Sequence, residues 1–180
     1  MDRRLLLLSL MAAAGASPVL AQATAPMTPT AAPTAGGNAM GQAEMDHAMK
    51  TAMAGAASLM MADAGLQKAT NAKVKDFAKF EHDEQTTIAE ILKSMDPNMA
   101  PPKPDAKSAE MIEKMKGMKA GAEFDRLFVM AQTEGHEKLL AIQEDYLKMG
   151  KNREHVSIAK LARGMIKEHL VLLGDLKKLA

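Results

Sequence analysis

The apolar residues of this chain recur with a helical period along most of its length. In residues 124–147 they are spaced by three and four positions, which is typical of a helix with one buried face. That face comprises Phe124, Leu127, Phe128, Ala131, Leu139, Ile142 and Tyr146. In its middle, Gln132, Gly135 and His136 replace the expected apolar residues. A polar break in the buried face of a long helix is typical of a bundle helix that contributes to an internal site.

The same periodicity predicts four long helices and one short helix. The long helices are expected at 44–69, 72–95, 123–149 and 153–179, with a short amphipathic helix at 108–119. Four prolines between residues 97 and 104 end the second helix. No segment alternates with the period of two that strands require. The predicted fold is therefore all-α, an up-and-down four-helix bundle with an extra short helix between the second and third long helices.

Polar residues interrupt the buried faces of three of these helices near their middles. The middles of antiparallel helices lie at one level, so we expect a shared internal cluster. A buried Glu81 without a partner would be costly, which favours its pairing with His136 or His169. The alternative is that the histidines are core imidazoles bonded to neighbours, and that the second-helix residues are partly solvated. The candidate metal ligands are Glu81, His82, Glu84, Gln85, His136 and His169.

The first helix carries a stripe of methionines that includes Met45, Met49 and Met53, with His47 among them. Thioether and imidazole ligands suit Cu(I), so these four residues form an alternative metal site. The competing interpretation is that flexible methionines fill irregular gaps in the core. Glu44 and His47 also form a Glu-x-x-His pair, but at the start of the helix.

The N-terminal residues resemble an export signal. Arg3 and Arg4 precede a short apolar run, and small residues allow cleavage after Ala21. The run is too short to span a bilayer well, so no transmembrane segment is expected after cleavage. Sec export is favoured over twin-arginine export. The predicted organisation is a signal peptide at 1–21, a disordered Ala/Thr/Pro linker at 22–43 and a bundle domain at 44–180, in a periplasmic or secreted protein.

Charge and composition exclude several classes of function. Removal of residues 1–21 leaves 21 of the 23 basic residues and 21 of the 22 acidic residues, so the mature chain is formally neutral. A neutral chain argues against nucleic acid as a partner, because phosphate binding needs a basic excess. The chain has 17 Met and no Cys. The absence of Cys excludes disulfides and thiolate metal sites.

Three stretches carry a family resemblance: KATNAKVKDFAKFEHDEQTTIAEIL, FDRLFVMAQTEGHEKLLAIQEDYL and IAKLARGMIKEHLVLLGDL. Over residues 45–178 the chain resembles the exported bacterial ferritin-like family numbered 4142 among the domains of unknown function. The resemblance implies a ferritin-like bundle, no established activity, and a mid-helix His in each of three helices. His136 and His169 match that pattern, whereas Gln85 stands at the family His position of the second helix and His82 lies about one turn earlier.

The catalytic patterns are incomplete. A ferritin-type di-iron centre needs two Glu-x-x-His pairs, and here residue i−3 from His136 is Thr133 and from His169 is Ile166. The leading interpretation is a non-enzymatic exported module that binds a partner or has a structural role in the envelope. The runner-up is a protein that binds Zn, Fe or Cu through the internal cluster, and a third possibility is an oligomeric storage or stress protein. Expected partners are an envelope protein or further copies of the chain.

Overall fold

The computed structural model describes residues 40–179, so the predicted signal peptide and all but the last residues of the predicted linker lie outside it. Five α-helices, and no strand, make up the described part of the chain. This confirms the all-α prediction, including the short helix. The helices are α1 (Gln42–Lys68), α2 (Ala72–Met95), α3 (Ala106–Gly117), α4 (Ala122–Met149) and α5 (Arg153–Leu176).

Side-chain caps fix where three of the helices begin. Asn71 accepts a hydrogen bond from the backbone N–H of Lys73, and Asn152 accepts from two N–H groups at the start of α5. Asp105 caps α3 by accepting from the N–H of Ser108. Each cap satisfies a donor that the first helical turn leaves free.

A buried carboxylate holds the short turn between α1 and α2. Asp125, in the first turn of α4, accepts hydrogen bonds from the backbone N–H and hydroxyl of Thr70 and from the N–H of Asn71, at 2.7–3.0 Å. These charge-assisted bonds tie the turn to the third long helix.

Neighbouring long helices run antiparallel. The contacts Ser58–Glu81 and Gly55–Gln85 show this for α1–α2. The contacts His136–His169 and Tyr146–His155 show it for α4–α5. Helix α1 also packs on α4, whereas α2 and α5 approach each other less closely than the other neighbouring pairs. The helices α2 and α4 point in the same direction, so the connection between them must cross the length of the bundle. It does so through α3, which packs on α1 and α4. One long crossover of this kind is also found in ferritin-like folds.

Two polar layers divide the apolar core. The largest apolar cluster lies near the α1–α2 turn and includes Phe77, Phe124, Phe128, Ile112 and Leu173. Next to this cluster, away from the α1–α2 turn, is a first buried polar layer, which contains Ser58, Glu81, Gln132, His136 and His169. Still farther from that turn is a second buried polar layer, which contains Glu44, His47, Gln143 and His155. Smaller apolar clusters from α1, α2, α4 and α5 complete the core.

None of the described helices combines the length and the apolar composition that crossing a bilayer requires.

Candidate metal centre

Three potential ligand atoms from three helices meet in the first polar layer. Glu81 Oε2 lies 3.1 Å from His136 Nε2 and 3.1 Å from His169 Nδ1. The two histidine nitrogens are also 3.1 Å apart. The three atoms thus form a nearly equilateral triangle, and Glu81, His136 and His169 are all buried. We call these three residues the triad.

The triangle has almost the dimensions that a metal ion requires. Zinc bonds to nitrogen and oxygen at about 2.0–2.1 Å, so two ligands of a tetrahedral ion are about 3.3–3.4 Å apart. The three observed separations of 3.1 Å need to widen by only a few tenths of an ångström. An ion above this triangle would keep a fourth position free for water or another ligand.

Each triad residue has a hydrogen-bond partner behind it. His136 Nδ1 lies 2.7 Å from the backbone carbonyl of Gln132, which can only accept, so Nδ1 carries the hydrogen. Glu81 Oε1 accepts from the Ser58 hydroxyl at 2.6 Å. On the outer side, His169 Nε2 is 3.4 Å from Glu84 Oε2. Partners of this kind orient the ligands of metal sites and fix the tautomer of the histidines.

The surroundings of Glu81 favour its ionised form. Burial acts to raise the pKa of the Glu81 carboxyl, but hydrogen bonds with His136, His169 and Ser58 outweigh burial and lower it. Burial also opposes a charge on His169, whereas the hydrogen bond to Glu81 and the nearby Glu84 raise the pKa of this imidazole. For Glu84, burial raises the pKa. The triad therefore holds a buried negative charge with protons nearby that a cation can displace.

An aromatic ring covers the triad on one side, and one triad residue is slightly exposed to solvent on another. The ring of Phe77 packs against both imidazoles, with ring centroids 5.8 Å from His136 and 5.1 Å from His169. His169 is the outermost member, 9% exposed on the seam between α2 and α5. Glu81 and His136 are fully buried, so the exposed part of His169 is where the triad meets solvent.

A cavity reaches the opposite side of the polar layer. It has a volume of about 120 Å³ and lies between α1, α3 and α4. Ser58 and Gln132 form part of its wall, so it ends at the groups that back Glu81. The hydroxyl oxygen of Ser58 is 2.6 Å from both Glu81 Oε1 and Gln132 Oε1, so the two acceptor oxygens share its single proton.

Of the six predicted ligands, three form the triad, one lies directly behind it and two lie apart from it. Glu84 lies behind His169 rather than in the triangle. Gln85 is buried but packs its amide oxygen against Gly55, where a side chain would not fit. His82 points away from the triad, with Nδ1 3.3 Å from Asp83 and Nε2 3.6 Å from Asp63 of α1.

The residues of the alternative copper site differ in their surroundings. Both ring nitrogens of His47 are engaged, Nε2 with Gln143 at 2.7 Å and Nδ1 with His155 at 3.4 Å, and the ring stacks on Tyr146. Met45 is 44% exposed, and Met49 and Met53 are half-buried. A copper site that groups these methionines around His47 stays a prediction.

The sequence analysis missed two residues of the polar layers, Ser58 and His155, and only His155 left a signal in the sequence. Ser58 is a small polar residue in an alanine-rich helix, which looks like one more packing position. His155 lies 14 residues before His169, almost four helical turns, and therefore on the same inward face. That spacing was sufficient to predict a buried His155.

A protein-family model described as a domain of unknown function, DUF4142, matches residues 28–176. No curated protein matches the chain, and no solved structure does.

Proposed function

We propose that this chain, which belongs to the DUF4142 family, is a metal-binding helical-bundle protein that holds one divalent transition-metal ion through the triad. The observation that carries the proposal is the triangle of Glu81 Oε2, His136 Nε2 and His169 Nδ1 with edges of 3.1 Å. We therefore favour metal binding, which was the runner-up interpretation of the sequence, over a purely structural role.

The donor set indicates which ions fit. Two imidazoles and one carboxylate with an open position are used for zinc, and also for non-haem Fe(II). The hydrogen on His136 Nδ1 makes Nε2 the nitrogen that faces the triangle, and release of an Nε2 proton would free its lone pair for a metal. A divalent ion would also offset the negative charge of Glu81 better than a single proton does.

We propose binding rather than catalysis. A di-iron oxidase centre draws carboxylates from four helices, and in the described residues the triad has one carboxylate ligand with Glu84 behind it. Together with the export signal in the sequence, this favours a periplasmic or secreted protein that captures, holds or delivers a metal ion. The expected envelope protein partner would then be the donor or the acceptor of that ion.

The test is the metal content of the protein after purification without chelators and without a histidine tag. We expect about one ion per chain by mass spectrometry in the parent, or after addition of Zn(II) or Fe(II) followed by desalting. Glu81→Gln keeps the shape of the side chain but removes the anion, and His169→Gln removes a nitrogen ligand. Both variants should lose the ion.

His82→Gln is the matched control, because His82 is next to Glu81 in sequence and yet lies outside the triad. It should keep the ion of the parent. No metal in the parent under any of these conditions, or the same metal content in all variants, would overturn the proposal. Circular dichroism of each variant separates a lost ligand from a lost fold.

A further inference from the structure

The second polar layer holds a second group of potential ligands that the triad does not use. His155 of α5 is 1% exposed, and its ring lies between His47 of α1 and Met40, which precedes α1. His155 Nδ1 is 3.4 Å from His47 Nδ1, and His155 Nε2 is 3.1 Å from Met40 Sδ. The hydrogens available to this chain of contacts can be assigned one by one.

The assignment starts at Gln143. Its Nε2 group donates to Thr51 Oγ1 at 3.0 Å, which leaves its amide oxygen facing His47 Nε2 at 2.7 Å. An amide oxygen only accepts, so His47 Nε2 carries a hydrogen. A neutral imidazole has one N–H, and therefore His47 Nδ1 presents a lone pair to His155.

We place the hydrogen of a neutral His155 ring on Nδ1, where it faces the lone pair of His47 Nδ1 at 3.4 Å. His155 Nε2 is then without a hydrogen. It faces Met40 Sδ, a thioether that also has only lone pairs to offer. With this assignment, two electron-pair donors face each other 3.1 Å apart at a partly buried contact.

We propose that His155 Nε2 and Met40 Sδ are the ligands of a second metal site, which binds a soft monovalent cation, Cu(I). Thioether sulfur selects Cu(I) among the biological metals, and imidazole suits it. A cation between the two atoms converts the contact of two lone pairs into two coordinate bonds. The sulfur must withdraw by up to about an ångström to admit the ion, which the three rotatable bonds of Met40 allow.

The charge of the layer suits a monovalent ion. Both ligands are neutral, and the nearest buried carboxylate is that of Glu44, which accepts a hydrogen bond from the Tyr146 hydroxyl at 3.0 Å. The carboxylate of Glu44 interacts electrostatically with the rings of both His47 and His155. One positive charge here is balanced by one carboxylate.

The test is an anaerobic titration of the purified chain with Cu(I) against bicinchoninate, a chromophoric competitor. We expect one Cu(I) per chain in the parent and at least tenfold weaker binding in Met40→Leu, which keeps the apolar volume but removes the sulfur. Met45→Leu is the matched control, because it makes the same change at an exposed methionine nearby in sequence. Its Cu(I) affinity should equal that of the parent.

A Glu81→Gln variant separates this site from the triad, and it should bind Cu(I) like the parent. Methyl-labelled methionine gives a second readout, since Ag(I), a spectroscopically silent substitute for Cu(I), should shift the resonance that Met40→Leu removes. No Cu(I) binding by the parent, unchanged binding in Met40→Leu, or a loss that instead follows Met45→Leu or Glu81→Gln would each overturn the proposal.

Discussion

His136 donates its Nδ1–H to the backbone carbonyl of Gln132, one turn earlier in the same helix, at 2.7 Å. This bond costs the helix nothing, because a carbonyl has a second lone pair beyond the one used by the helical N–H. It fixes the orientation of the ring before any ion arrives. Helix α4 alone therefore directs Nε2 at Glu81 and His169.

Removal of the Ser58 hydroxyl should weaken metal binding without touching a ligand atom. Ser58→Ala deletes the hydrogen bond to Glu81 Oε1, which orients the carboxylate. We expect a loss of roughly 10–100-fold in Zn(II) affinity and a loss of about 1–3 kcal/mol in the unfolding free energy of the metal-free protein. Ser94→Ala, at an exposed serine of α2, should leave the affinity and stability nearly unchanged. Equal affinities in the two variants would contradict the orienting role.

The unfolding free energy of the metal-free protein should depend on pH because of the triad residues. The raised pKa of His169 gives stability that is fully present below its unfolded pKa of about 6.5 and is lost as pH rises through the folded value. The lowered pKa of Glu81 gives stability that is present above about 4.5 and is lost as pH falls. The stability advantage of the parent over Glu81→Gln should therefore be largest between these limits.

Urea denaturation of both proteins at several pH values, with chelator present, measures this difference. Burial lowers the pKa of His47 and His155, which gives stability that is lost as pH falls below about 6.5. That contribution is common to both proteins and cancels in the difference. A difference that does not vary with pH would show that the triad residues do not exchange protons as a group.

Two glycines should respond to the same substitution in opposite directions. A Cβ at Gly65 would lie 2.6 Å from the ring of Phe128 and 2.8 Å from Ala78 Cβ, so Gly65→Ala should cost about 1–3 kcal/mol of unfolding free energy. Gly164 in α5 has open space around the same position. Gly164→Ala should gain about 0.5–1 kcal/mol, because alanine loses less backbone entropy in a helix. Chemical denaturation tests both, and a stabilising Gly65→Ala would refute the close packing of α1.

Asp125 should be a purely structural carboxylate. Asp125→Asn puts an NH₂ group where two donors, the hydroxyl of Thr70 and the N–H of Asn71, now meet one oxygen. We expect a loss of about 2–3 kcal/mol in unfolding free energy with Zn(II) affinity unchanged. Asp145→Asn makes the same change at an exposed site and should be nearly neutral. A lower metal affinity in Asp125→Asn would show that the α1–α2 turn also positions the triad.

Periodicity was sufficient for the helices and for the triad, because both depend on which side of a helix a residue faces. The boundaries of α2 match the prediction, and the inward positions of Glu81, His136 and His169 follow from helical spacing. His82 was included because it is next to Glu81, but adjacent residues differ by about 100° around a helix. It consequently faces Asp63 of α1.

What could not be predicted depends on contacts between distant segments. Met40 lies outside the predicted domain, and its sulfur reaches His155 only because α1 and α5 run in the same direction, with their first turns side by side. The role of Ser58 likewise requires the register between α1 and α2, which sets it opposite Glu81. Register between helices is decided by side-chain packing over the whole interface, and one helical stripe does not specify it.

The loose seam between α2 and α5 has a consequence for the kinetics of ion exchange. The two helices meet there largely through side chains, with His169 between Glu81 and Glu84, so they can separate without breaking a helical hydrogen bond. An ion could then enter or leave through a local opening far less costly than global unfolding. Residence time would be set by how often this seam opens, and a bound ion, which ties α2 to α5, would itself slow the opening through which it leaves.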